Sequence, residues 1–291
     1  MPPKLPETLI DSHVHLFPDK GFDAIWKAFD QMYQVPVLHH LYHQECIEYL
    51  RARQVGPIVY SNYAHKPGIA GSMNAWNREL LNRSENLFCY AAFHPEDDEA
   101  LAMAEDILSH PQVMGIKLHF LIQHYYPHDS RFFPLYELIM DRKKRLLMHL
   151  GTGPIGNQYT GLDHFKILLK RYPDLPVTIP HMGGYEYKGF LDLLDDHPDL
   201  YLDTAYSFWH QAPGGYDQGT EALERYQDRI VYGSDFPNII LPRKDEIEGL
   251  LSYDLSSGIY SKLFYENGAR LIQSACPECI HFCPPHVHTA Y

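Results

Sequence analysis

Val113-Met114-Gly115-Ile116-Lys117-Leu118-His119, followed by Arg145-Leu146-Leu147-Met148-His149 and Pro176-Val177-Thr178-Ile179-Pro180-His181, sets the architecture. Each is a short, nearly continuous apolar run ending on a histidine, as expected of strands buried on both faces of a parallel sheet. Pro134 to Lys143 and Asp163 to Arg171, lying between them, carry helical spacing, so strand and helix alternate. Outward from this segment the same kind of run recurs at Thr8 to His15, Pro57 to Asn62, Leu87 to Phe93, Leu200 to Thr204 and Arg229 to Asp235. Helices are expected over Ser72 to Asn82, Asp98 to His110, Lys188 to Asp196 and Gly219 to Gln227, and Pro111, Tyr172-Pro173 and His197-Pro198 punctuate the joints. Eight such units in about 250 residues predict an α/β fold of the (β/α)8 TIM-barrel type; a doubly wound sheet would have fewer strands and a glycine-rich first turn. Neither GxGxxG nor a P-loop is present. Phe17 to Val55 is too long for one connection and predicts a helical insertion after the first strand, placed as a lid over its exit. Residues 1–275 therefore read as one barrel domain, with 17–55 as the insertion and 276–291 as a Cys/His-rich tail.

Composition narrows the function classes. The chain of 291 residues has 24 Lys plus Arg against 37 Asp plus Glu, a formal charge of −13, which disfavours a nucleic-acid partner. No stretch approaches the roughly 20 uncharged apolar residues of a membrane helix, and Met1 to Glu7 lacks the basic-then-apolar order of a signal peptide. A cytoplasmic protein without a membrane partner is the expectation. The 5 cysteines are too few for a disulfide scaffold and fit a reducing compartment. Histidine is the unusual count: 19 residues, several at strand ends, where imidazole can bind metal or move protons.

Strand ends in a barrel converge on one rim, and that rim carries the active sites of this fold. His13 and His15 are two apart on an extended strand and face the same side, as a chelate requires. His149 ends the fifth run, His181 the sixth and Asp235 the eighth. A lone histidine at such a position is usually a capped or partly solvated side chain, but four histidines and one aspartate on one rim argue for a metal site.

These residues carry a family resemblance. Ile10-Asp11-Ser12-His13-Val14-His15, Gly115-Ile116-Lys117-Leu118-His119, Met148-His149-Leu150-Gly151-Thr152-Gly153, Ile179-Pro180-His181-Met182-Gly183-Gly184, Leu202-Asp203-Thr204-Ala205 and Tyr232-Gly233-Ser234-Asp235-Phe236-Pro237 resemble the amidohydrolase superfamily. The likeness is to its amidohydrolase-related branch, which includes aminocarboxymuconate semialdehyde decarboxylase. The resemblance implies that His13, His15, His149 and Asp235 bind the metal, one Zn ion, with Mn or a second ion as alternatives. It implies acid-base roles for His181 and Asp235. Three neutral imidazoles and one carboxylate leave a divalent cation net positive, enough to lower the pKa of bound water from near 16 toward about 7.

Lys117 leaves the metal count open. Binuclear relatives carry a carboxylated lysine at this strand end, bridging two ions with His149 and His181 on the second; the simpler reading is a lysine paired with an acidic rim or a substrate carboxylate. His119, two residues on, faces the same side. Asp11 and Asp203 are expected just behind the ligands, each accepting a ring N–H and fixing its tautomer, or else capping turns. Gly151-Thr152-Gly153 and Gly183-Gly184 would let backbone or substrate approach the metal closely. His39, His40, Tyr42, His43, Gln123, His124 and Tyr125 are candidate substrate contacts on rim loops. The tail residues Cys276, Cys279, Cys283, His286 and His288 suggest either a loose zinc set or a subunit-contacting tail.

The resulting expectation is a metal-dependent hydrolase acting on a small amide, lactone or ester. A non-oxidative decarboxylase of a small aromatic or unsaturated acid is the alternative, and a metal-stabilised binding protein without turnover is the reading from another class. The expected partners are a small-molecule substrate, carboxylated in the decarboxylase reading, and a second copy in a homodimer.

Overall fold

Buried apolar runs need hydrogen-bonded neighbours, and here they find them in chain order. In the computed structural model, which describes residues 5–33, 36–153, 155–209 and 214–279, the strands are β1 (Leu9–His15), β2 (Val55–Ser61), β3 (Leu87–Ala92), β4 (Val113–His119), β5 (Arg145–His149), β6 (Val177–Ile179), β7 (Leu200–Asp203) and β8 (Ile230–Val231). They form one parallel sheet in the order β1 to β8. The ring closes where Ser12 N donates to Tyr232 O at 2.9 Å, Asp235 N to His13 O at 2.8 Å and His15 N to Phe236 O at 2.8 Å. This is the TIM barrel that the alternation predicts.

The sixth and eighth strands fall well short of the runs expected. The run through His181 stops being extended at Ile179, and Pro180–Gly183 makes a tight turn in which His181 takes φ 60°. The eighth run pairs only over Ile230–Val231, and Asp235 likewise takes φ 60°. A left-handed backbone cannot continue a strand, so the side chains that matter sit on turns just beyond it.

The long first connection holds α1 (Asp19–Tyr33) and α2 (His43–Arg51), in accord with a helical insertion. After it come α3 (Ala70–Leu81), α4 (Ala100–Leu108), the single turn α5 (Phe120–Gln123), α6 (Phe133–Asp141), α7 (Leu162–Arg171), α8 (Tyr187–Leu193) and α9 (Gly219–Arg225). Beyond β8 lie α10 (Arg243–Leu251), α11 (Ser257–Ser261) and α12 (Asn267–Ala275). Among the described residues no helix is long and apolar enough to cross a membrane.

Side-chain alternation divides the apolar residues between two cores. Val14, Ile58, Ile116 and Leu146 point outward into the layer between strands and helices. Ile10, Val59, Phe88, Tyr90, Leu147, Tyr201 and Val231 fill the barrel interior, where Leu271 and Ile272 of α12 join them as a floor. Cys276 is 2% exposed and belongs to that floor, with burial pushing its thiol up to about 12. It is therefore a packing residue, and among the described residues no cysteine joins a group that could hold a metal. Cys283, His286 and His288 lie outside the described residues. Gly115 lets β4 and β5 approach: a Cβ there would stand 1.6 Å from the Arg145 carbonyl oxygen. The pairing it permits sets Lys117 opposite Leu147 and His119 opposite His149.

Candidate metal centre and active site

His13 and His15 project from β1 toward the turn that carries Asp235. His13 Nε2 lies 3.3 Å from His15 Nε2 and 3.3 Å from Asp235 Oδ1, and His15 Nε2 lies 2.9 Å from the same oxygen. Two donors about 2.1 Å from one ion stand roughly 3.0 to 3.4 Å apart, so this triangle has the edge lengths of a coordination sphere. These three residues form a buried group able to hold a metal. The rings of His149 and His181 stand beside it, 5.0 Å apart between centroids, with His181 5.3 Å from His13. His149 Nε2 is buried without a hydrogen-bond partner, a cost that a cation would remove. Neutral imidazoles with one carboxylate suit a divalent transition metal, so the donor set fits the expected ion.

The opposite ring atoms are tied down. His13 Nδ1 lies 2.9 Å from Asp203 Oδ2, His15 Nδ1 is 3.3 Å from Ser61 Oγ, and His181 Nδ1 is 3.1 Å from Ala205 O. The acceptors Asp203 Oδ2 and Ala205 O place the proton of His13 and His181 on Nδ1 and leave Nε2 facing the cluster. Asp203 Oδ1 also accepts from His181 N at 2.9 Å and Ala205 N at 3.1 Å. It is a brace behind two histidines.

Asp11 departs from its expectation. It reaches no ring nitrogen and instead accepts from Ser234 N at 3.0 Å and Ser234 Oγ at 2.6 Å, with Arg243 Nε 3.5 Å away. The pairing of β1 with β2 shifts register on both sides of Asp11. Such a bulge breaks period two, so Ile10 points into the barrel and Asp11 faces α10 although His13 faces the rim.

Burial and charge act together on the titrating groups. Desolvation holds His15 down at about 4 and lowers His119, His149 and His181, so each is neutral at pH 7. Burial alone would raise Asp235, but the imidazoles of His13, His15 and His181 outweigh it and keep the carboxyl well below its usual range. Lys117 is fully buried with no hydrogen-bond partner for Nζ, and desolvation brings it down to about 8 against the pull of Asp235 and Asp203.

The cavity above the donors has a volume of about 50 Å³ and is walled by Phe29, Tyr63, Leu121, Ile122, Ile155, Tyr206 and Asn238 together with His119. His119 stacks on His149 with centroids 4.3 Å apart and leans on Tyr63 at 4.8 Å. These walls, His119 apart, are absent from the sequence reading. Tyr63, Tyr206 and Asn238 follow β2, β7 and β8, so the strand-end rule that found the histidines would have found them. Phe29 comes from α1, and no local signal marks it.

Conversely, none of the loop residues expected to touch substrate lines this cavity. Gln123 is 5% exposed and spends its amide on His119 N, Ala64 O and Phe93 O. His40 stacks on Trp26 at 4.7 Å, Tyr42 donates to Asp23, His43 pairs with Asp19, and His39 packs on Phe236; all four anchor the insertion. His124 stacks on Tyr159, and Tyr125 lies under the Arg131 guanidinium. The two glycine turns meet each other: Gly153 N donates to Gly184 O, and a Cβ at Gly151 would stand 2.4 Å from the same oxygen. Their missing side chains serve backbone packing under His149 and His181.

Comparison with known proteins finds the same fold. An uncharacterized TIM-barrel protein from Bordetella bronchiseptica superposes with a TM-score of 0.73 at 19% identity, covering 92% of this chain and 99% of that one. The 5-carboxyvanillate decarboxylase of Novosphingobium aromaticivorans, solved with manganese and a nitrobenzoic acid, gives 0.67 at 12% identity, covering 91% and 96%. The 4-oxalomesaconate hydratase LigJ of Rhodopseudomonas palustris gives 0.63 at 18% identity, covering 93% and 97%. None of the curated proteins matches. The family model described as amidohydrolase matches residues 10–273, nearly the whole chain. The chain therefore belongs to the amidohydrolase family of metal-dependent TIM-barrel enzymes.

Proposed function

We propose that the protein is a hydrolase of small amides, lactones or esters that uses one divalent ion, zinc in the first instance, held by His13, His15, His149 and Asp235. The observation that carries this is the triangle of His13 Nε2, His15 Nε2 and Asp235 Oδ1 at 2.9 to 3.3 Å. When bound, such an ion supplies Lewis acidity and makes water a nucleophile near neutral pH. The chain's own residues do the rest. His181, neutral through burial and with Nδ1 engaged by Ala205 O, offers Nε2 to take a proton from the attacking water and return it to the leaving group. Asp235 shares that duty through its second oxygen. Asp203 holds His13 and the backbone of His181 in register. The cavity of about 50 Å³ is in keeping with a small substrate group at the donors.

A second reading, non-oxidative decarboxylation of a small aromatic or unsaturated acid, is favoured by the likeness to the manganese-bearing decarboxylase and by Lys117. Its buried amine, without a hydrogen-bond partner and close enough to Asp235 and Asp203 to feel their charge, suits a carboxylate, and manganese is then the alternative ion.

Elemental analysis of protein purified without added metal, repeated on His13→Ala and Lys117→Ala, tests the site. About one ion per chain, lost in His13→Ala and kept in Lys117→Ala, is expected. Two ions that both depend on Lys117 would replace this reading with a carboxylated, bridging lysine. Assay of the loaded protein on nitrophenyl esters, anilides and hydroxybenzoic acids separates hydrolysis from release of carbon dioxide.

A further inference from the structure

Asp235 reaches the donor cluster from a backbone that L-residues rarely adopt, with φ 60°, four residues beyond the end of the two-residue strand Ile230–Val231. A side chain there aims correctly only if its neighbours are held. In front, Asp235 N donates to His13 O at 2.8 Å, and behind it Asn238 N donates to Asp235 O at 3.0 Å. Phe236 O accepts from His15 N at 2.8 Å, and the side-chain hold comes from Asp11. Asp11 Oδ1 accepts from Ser234 N at 3.0 Å and Oδ2 from Ser234 Oγ at 2.6 Å, and Ser234 Oγ in turn accepts from Phe236 N at 3.2 Å. The residues on both sides of Asp235 thus hang, directly or through the serine hydroxyl, on the carboxylate of Asp11. Both Asp11 and Ser234 are completely buried, so no water can substitute. Arg243 of α10 stands 3.5 Å from Asp11 Oδ2 and balances its charge.

From this geometry we infer that Asp11 and Ser234 are positioning residues: a clamp on the far side of β1 that fixes the turn presenting the Asp235 carboxylate, without touching metal or substrate. The inference rests on the reading that Asp235 is a metal ligand. It differs from a general packing role because the clamp grips the two residues flanking that ligand, with Asp11 Oδ1 also accepting from His13 N at 3.4 Å, while β1 is already held to its neighbours by backbone hydrogen bonds.

The test is Mn²⁺ affinity of chelator-treated protein, read from the electron paramagnetic resonance of free ion, for the wild type, Asp11→Asn and Ser234→Ala. Melting temperature in excess chelator is measured alongside. Loss of a hydrogen-bonded outer partner typically weakens metal binding about 10- to 100-fold. A rise in Kd of that size in both variants, measured on protein that melts cooperatively, is the expected result. Unchanged Kd with a lowered melting temperature would mean that the pair only supports the fold, and would overturn the inference. If Asp11→Asn does not fold, Ser234→Ala decides alone, since it removes only the hydroxyl. Wild-type binding that survives in Asp235→Asn would instead sink the ligand assignment itself, and the clamp with it.

Discussion

His15 offers a prediction whose size can be worked out. Its ring is 5% exposed, and burial holds it at about 4 against an ordinary 6.5. In the unfolded chain the imidazole takes up a proton as pH falls through about 6.5, whereas in the folded, metal-free chain it stays neutral until about 4. The unfolded state therefore binds more protons across this window, and stability falls as pH falls. At pH 5 the difference amounts to about 2 kcal/mol, and across the whole window to about 3.4 kcal/mol. With an unfolding entropy near 2.1 cal/mol/K per residue, 2 kcal/mol corresponds to roughly 3 °C in melting temperature for a chain of this length. The assay is calorimetry in chelator at pH 8 and pH 5 on the wild type and His15→Gln. Every other group titrates in both proteins, so the variant should lose roughly 3 °C less than the wild type between the two pH values. An identical pH 8 to pH 5 drop in both would refute the claim that a buried neutral His15 opposes acid stability.

Three further outcomes are expected. Asp235→Asn keeps the fold but weakens metal binding and lowers turnover at least about 100-fold, checked by metal titration and by kcat/KM on any substrate found in the panel above. His181→Asn retains about one ion per chain while kcat falls about 10²- to 10⁴-fold, because it removes a proton carrier; loss of the ion would show that His181 is a ligand. Gly115→Ala forces a methyl into the Arg145 backbone and should destabilise the barrel by about 3 kcal/mol or more, seen as a lowered melting temperature; an unchanged value would mean that β4 and β5 separate freely.

Particular residues show where sequence reading succeeds and where it stops. The β4 and β5 runs are observed over the residues expected, Val113–His119 and Arg145–His149, because a continuous apolar run bounded by polar turns has few other ways to satisfy its backbone. His13, His15, His149, His181 and Asp235 meet at one rim because strand ends of a closed parallel sheet have no other place to go. His181 and Asp235 also show that a strand end need not be extended, since both leave the strand through a left-handed turn. The rim loops are a different case. His39, His40, Tyr42 and His43 have the chemistry of substrate contacts, yet they pack on Trp26, Phe236 and the acidic start of α1, and the cavity is walled by Phe29, Tyr63 and Tyr206. Residue type does not distinguish a histidine that binds from one that packs.

Hydrophobic period and strand-end position are properties of a few adjacent residues, so barrel class and the candidate ligands are legible from the chain alone. Which face Asp11 takes, what walls the cavity and what closes the barrel floor are decided by contacts between distant segments. A bulge in β1 turns Asp11 away from the His13 ring and toward Ser234, 223 residues later, and that contact exists only once the first and last strands have met.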